Sequence, residues 1–178
     1  LSTWAVTASV GPGSTNMLTG AALATINRIP VLLLPSGTLA TRVSAPVLQE
    51  LELPHAADVS VNDAFRPLSR FYDQVDRPEQ LPAALLGAMR VLADPVETGA
   101  ATISLPQDVQ AEAFDWPVEL FDDRVWHVAR PPAEASRIAA RRPPVWLATN
   151  NQFFRPIAHS FRVRSAMLLS IARAPSSV

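Results

Sequence analysis

The stretch from Trp4 to Pro35 constrains this chain most, because it sets two apolar runs, a glycine turn and an apolar helix in close succession. Trp4-Ala5-Val6-Thr7-Ala8-Ser9 is short, apolar and bounded, the pattern of a buried strand. Gly11-Pro12-Gly13 breaks it, Ser14 or Thr15 offers a capping oxygen, and Asn16 follows at once. Met17, Leu18, Ala21, Ala22, Leu23, Thr25 and Ile26 leave the next helix apolar nearly all round, so it is expected to be buried. Pro30 leads into Val31-Leu32-Leu33-Leu34, a second strand closed by Pro35-Ser36-Gly37. This order predicts a right-handed βαβ unit in a parallel sheet. The glycine turn then falls at the carboxyl end of its first strand, the edge where open parallel sheets bind ligands. Spacing alone leaves two readings open. Glycine and proline shape a tight turn, or residues without bulky side chains let a planar or anionic ligand reach the backbone.

Pro46 to Glu52 is predicted as a short helix, with Val47, Leu48 and Leu51 on one apolar face. Asp58 to Asp63 reads as a very short strand running into a turn. Phe65 to Tyr72 reads as extended, with Pro67 arguing against a central strand over its whole length. Asp76 to Asp94 is the clearest amphipathic helix, with Leu81, Leu85, Met89 and Leu92 at helical spacing. Asp76 is its expected cap, and at Pro82 the regular helix either begins or kinks. Gly99 to Leu105 is another buried strand, stopped by Pro106. Asp115 to Arg130, acidic and aromatic, suits a connector packed on a surface. Ala133 to Ala140 as a helix and Val145 to Ala148 as a strand would open a second α/β domain that fails to continue.

Charge divides the chain. All sixteen acids stand at or before Glu134 with eight arginines, and seven arginines with no acid follow. A basic tail for nucleic acid is one explanation; the favoured one is a reading frame shifted near Pro144, with 149–178 an irregular tail. Every basic residue is arginine and there are seventeen prolines, which reads as coding bias rather than phosphate binding. The absence of cysteine excludes disulfides and thiolate metal sites and fits a cytoplasmic enzyme. No apolar run reaches membrane-spanning length, and the start at Leu1 reads as a fragment whose natural beginning is missing.

The motifs exclude several chemistries. No Gly-Lys-Ser/Thr follows the turn, so it is not a P-loop, and Ser14-Thr15-Asn16 stand where a dinucleotide fingerprint needs a later glycine. His55, His127 and His159 lack the context of a hydrolase base, and no second histidine completes a zinc site. Arg66 and Arg70 are candidates for an anion but read better as solvated charges. The residues by themselves reach only a small-molecule-binding α/β domain.

A resemblance goes further. Gly11-Pro12-Gly13-Ser14-Thr15-Asn16, Gly20-Ala21-Ala22 and Asn27-Arg28-Ile29-Pro30-Val31-Leu32-Leu33 resemble the pyrimidine-binding domain of thiamine diphosphate-dependent enzymes. Ile103-Ser104-Leu105-Pro106-Gln107-Asp108-Val109-Gln110 is similar to the end of that domain. Within the family, Pro46 to Glu52, Val59 to Pro67, Arg77 to Leu81, Ala88 to Leu92 and Asp94 to Ala100 look like the ring-opening hydrolases of inositol breakdown. The likeness runs from about Ala5 to Pro143.

The resemblance implies a three-layer, flavodoxin-like parallel-sheet domain over 1–115, truncated at its N-terminus. A linker at 116–132 and an incomplete central domain at 133–148 would follow. It implies a C–C bond hydrolase acting on a cyclic dione, with thiamine diphosphate and Mg2+ as cofactors and a homodimer or homotetramer as the working form. Gly11, Pro12, Gly13 and Asn16 would face the cofactor's pyrimidine. The family's cofactor-activating glutamate should precede this turn, whereas the first acid here is Glu50, and the Gly-Asp-Gly metal signature is absent. No catalytic residue and no metal ligand are therefore assigned, and the chain alone is expected to be inactive. No nucleic-acid or membrane partner is expected. An acetolactate synthase-like fragment and a non-catalytic α/β binding module stay as alternatives.

Overall fold

A computed structural model of the chain describes residues 3–41, 46–56, 58–126 and 161–163. Four strands, β1 (Trp4–Ala8), β2 (Val31–Gly37), β3 (Phe71–Gln74) and β4 (Ala100–Pro106), form one sheet in the order β1-β2-β4-β3. Every pairing is parallel, with Val6 opposite Leu33, and Leu33 and Tyr72 on either side of Thr102. All four carboxyl ends therefore share one edge. Parallel pairing needs long crossovers, and these supply the other layers.

The two-residue period of β2 sorts its side chains between the faces. Leu32 and Leu34 join Ala101, Ile103 and Leu105 of β4 against α3 (Leu81–Ala93), which presents Leu81, Ala84, Ala88 and Leu92 at helical spacing. Leu33 turns the other way and packs with Ala21 and Ala24 of α2 (Leu18–Ile26), Phe65 and Ala100. The unit is thus the expected three-layer α/β domain. Packing is close where α3 meets β3: a Cβ at Gly87 would stand 2.6 Å from Cζ of Phe71.

Several local expectations are corrected. Pro46 to Glu52 is a turn, not a helix: Glu50 folds its carboxylate back onto the Val47 amide at 2.7 Å, and Leu48 is left 86% exposed. An apolar face with nothing to cover it does not hold a short helix. Asp58 to Asp63 makes no strand. Ser60 and Asp63 instead form a capping box that starts a 3-10 helix, Val61–Leu68, carrying Pro67 inside it. Of the aromatic segment Phe65 to Tyr72 only Phe71 and Tyr72 are strand, opening edge strand β3 beyond Pro67. α3 begins at Leu81 with Pro82 in its first turn, where no amide bond is needed. The expected Asp76 cap is replaced by Gln80, whose Oε1 accepts from the Asp76 and Arg77 amides at 2.8 and 3.1 Å in the turn before α3.

This unit continues past Pro106 through a short helix, Gln107–Ala111, and a 3-10 turn, Val118–Phe121. Trp116 packs edge-on to Phe114 at 4.8 Å and lies against the α3 side of the core. A second unit is represented by an antiparallel pair, β5 (Arg124–Trp126) with β6 (Phe161–Val163). β6 falls inside the tail expected to be irregular. The helix and strand predicted at 133–148, and the junction at Pro144, lie outside the described residues.

Candidate functional site at the carboxyl edge of the sheet

The Gly11 turn sits directly after β1. Gly11 has φ 68°, a left-handed conformation that glycine adopts freely, and opens the single helical turn α1 (Pro12–Thr15). Thr15 N donates to Gly11 O at 2.9 Å and Asn16 N to Pro12 O at 3.2 Å. A Cβ at Gly11 would run into the backbone oxygen of Gln49. The bare α-carbon is therefore occupied by this chain's own 46–53 loop. Pro12 and Asn16 are exposed and Gly13 half-buried, so of the four predicted residues these three keep open surface at the edge.

Beneath the turn lies a buried polar network that sequence reasoning missed. Ser14 is fully buried, its hydroxyl 2.9 Å from Ser9 O and 3.0 Å from Ser36 O. Asn62, also buried, donates through Nδ2 to the same Ser36 O and to Ser104 Oγ, at 3.1 and 2.9 Å. Its Oδ1 has no partner. The carboxamide thus ties the ends of β2 and β4 to the 3-10 helix, and holds Ser36 where Ser14 can reach it. The one available signal was Ser-x-x-Asp at 60–63, which caps the helix carrying Asn62.

On the β3 side the Tyr72 hydroxyl is buried beside Asp63 and Ser104 without a well-formed hydrogen bond. Burial first, then the Asp63 charge, push it up to about 12. The Arg66 guanidinium lies 4.3 Å from the Tyr72 ring centre and 2.7 Å from Asp63 Oδ1. Burial pushes Asp63 up, but the hydrogen bonds from Arg66 and the Ser60 amide outweigh it and hold the carboxyl below its ordinary value. Arg70 Nη1 meets Glu97 Oε2 at 3.3 Å. Both arginines considered as anion contacts thus have acidic partners in this chain.

The segment after β2 is fixed from α4 (Gln107–Ala111). Asp108 accepts from the Ala40 amide at 2.9 Å and the Thr41 amide at 3.0 Å. These bonds overcome the cost of burial and lower its pKa. His55 is exposed, and among the described residues no group of three or more His, Cys, Asp or Glu is placed to hold a metal. Among them, too, no helix is long and apolar enough to cross a membrane.

No protein-family model matches the chain. Over 139 residues, 77% of its length, it is 55% identical to the 3D-(3,5/4)-trihydroxycyclohexane-1,2-dione hydrolase of Geobacillus thermodenitrificans. It is 56% identical over 126 residues to the enzyme of that name from Bacillus thuringiensis, and 53% over 127 residues to that from Clostridium perfringens. Over this stretch the chain is homologous to the trihydroxycyclohexane-dione hydrolases. It spans only 20–22% of those hydrolases' own length. The hydrolase likeness read from the motifs therefore holds, and it concerns a segment of a much longer enzyme.

Proposed function

We propose that this chain is the pyrimidine-facing segment of a thiamine diphosphate-dependent hydrolase that opens trihydroxycyclohexane-1,2-dione. The reading rests on the identity of more than half the aligned residues, over 71–77% of the chain, to hydrolases bearing that substrate's name. Support also comes from a turn with open Pro12, Gly13 and Asn16 surface on the carboxyl edge. When bound, the cofactor supplies an electron sink for C–C cleavage.

The chain's own part is to seat a flat ring. Pro12 and Asn16 would offer the contact surface, while the bare α-carbon of Gly13, where a Cβ would stand 2.6 Å from Ser9 Oγ, lets the turn close on the end of its own strand. Gly11 would act one step back, its left-handed bend accepting the 46–53 loop so that the turn keeps its shape. Ser14, Ser36 and Asn62 would hold that turn to the sheet. Mg2+, and with it the diphosphate it would neutralise, is assigned to chain outside the described residues, since among these no group of three or more His, Cys, Asp or Glu is placed to hold a metal. The working enzyme would be a cytoplasmic homodimer or homotetramer.

Two measurements test this. Thiamine diphosphate titrated into the chain should shift the amide resonances of Gly13 and Asn16. The chain alone should open no dione, whereas substituting 5–143 for the corresponding stretch of the Geobacillus hydrolase should leave a working enzyme. A chimera that folds, binds cofactor and cleaves nothing would refute the assignment.

A further inference from the structure

The same edge carries a cavity of about 600 Å³ between the segment after β2, residues 50–56 with 59–60, and residues 74–77. That volume suits a small molecule. Its charged lining is mostly acidic: Glu50, whose Oε2 is held by the Val47 amide, Glu52 and Asp76 stand with one arginine, Arg77, and Thr38 and Gln74 add polar groups. Leu53, Pro54 and Val59 supply apolar wall.

The walls are fixed in place. Asp108 holds the Ala40 and Thr41 amides. Glu52 accepts from Ser60 Oγ at 3.0 Å and the Val61 amide at 2.7 Å, which anchors the opposite loop. Asp76 Oδ1 takes the Gln74 side-chain amide at 2.8 Å. A preformed site loses little to ordering when it binds.

We propose that this cavity binds a neutral, polyhydroxylated ring. Ring hydroxyls donate to the carboxylates of Glu50 and Asp76, and the Arg77 guanidinium donates to a ring oxygen. Three carboxylates against one guanidinium oppose phosphates and carboxylic acids. Taking the ring to be the substrate's rests on the function proposed above; the existence of the site does not. Under that function the charge has a second consequence. Hydrolysis breaks the bond between the two carbonyl carbons, the water oxygen completing a carboxyl on one and a hydrogen completing an aldehyde on the other. The product is thus an anion at neutral pH, and the lining that holds the ring disfavours its acid.

The test is an amide-resonance titration of the 178-residue chain at pH 7 without cofactor, using myo-inositol as neutral polyol and D-glucuronate as acid. Inositol should give saturable shifts at Thr38, Gln74 and Arg77, with glucuronate binding at least about tenfold more weakly. Asp76→Asn and Glu50→Gln should each weaken inositol about tenfold, the loss of one charge-assisted bond, and narrow the gap to glucuronate. Ala56→Phe, which fills the cavity, should abolish the shifts. No saturable shift, equal binding of the two probes, or shifts confined to Gly13 and Asn16 would overturn the proposal. The two-probe comparison uses the unmodified chain, so it decides even if a variant misfolds. Cofactor shifts at Gly13 and Asn16 without inositol binding would sink this site and leave the proposed function standing; inositol binding without cofactor shifts would do the reverse.

Discussion

β1 and β4 are short apolar strands of one parallel sheet, but β4 is buried along its whole length while 4–7 of β1 are exposed. β4 has β2 and β3 on its two sides, α3 on one face, and α2 with the 3-10 helix 61–68 on the other. Among the described residues β1 pairs with β2 alone, and its apolar side chains stay open, with Trp4 73% exposed; Ile26 at the end of α2 is likewise 81% exposed. Burial is thus a property of neighbours rather than of the strand. Two similar segments contribute unequally because only one has its cover among the described residues.

The largest test of that contrast is a pair of truncations. Ile103→Ala in β4 empties a fully buried site and should cost about 3–4 kcal/mol in urea unfolding. Val6→Ala in β1, 40% exposed, should cost about 1 kcal/mol or less. Equal losses would mean that β1 is covered after all.

A smaller effect separates two glycines on the β1 side. Gly11→Ala forces a left-handed residue into the Gln49 backbone and should cost about 2 kcal/mol. Gly20, inside α2, has open space where a Cβ would go, so Gly20→Ala should stabilise by about 0.5–1 kcal/mol. Thermal melts of the two variants should move in opposite directions. Shifts of the same sign would show that the Gln49 loop is not seated on the turn.

The carboxyl edge adds a pH dependence that the β1 side lacks. Asp108 and Asp63 are held below their ordinary 3.8 in the folded chain, so their stabilisation is present above that pH and is lost as pH falls through the lower folded values. Asp108→Asn should remove part of this acid-limb slope. Tyr72 is raised from 10 to about 12, so stability should also decline as pH rises between those values. Tyr72→Phe should flatten that alkaline limb, as read by urea midpoints across pH.

Periodicity, helped by bounded apolar runs, located β1, β2, β4, α2 and α3, because each pattern is local to its segment, but it overstated the burial of β1 and α2, which depends on neighbours. It failed between Pro46 and Tyr72. There the outcome turns on Gln49 meeting Gly11, on Glu52 capping from eight residues away, and on Phe65 finding α2, which are contacts no local window contains. The candidate site divides likewise. The turn is legible from its glycines, whereas Asn62 becomes a tie between β2 and β4 only once the crossovers have brought Ser36 and Ser104 together.

The smallest stability effect with a clear readout lies on the open side of β1. Trp4→Ser with Ile26→Ser removes two large apolar side chains that bury little, so the unfolding midpoint should move by no more than about 0.5 kcal/mol. Self-association should respond much more strongly, since large exposed apolar side chains drive contact between copies. An edge strand free of charge and proline also offers unpaired backbone to them. Sedimentation over a concentration series should show association in the parent chain and markedly less in the double variant. If association is unchanged while stability drops by several kcal/mol, the two side chains are core residues and the contrast between β1 and β4 fails. If both stay unchanged, the open face is not what brings copies together, and the uncovered 46–53 loop with its exposed Leu48 becomes the surface to alter next.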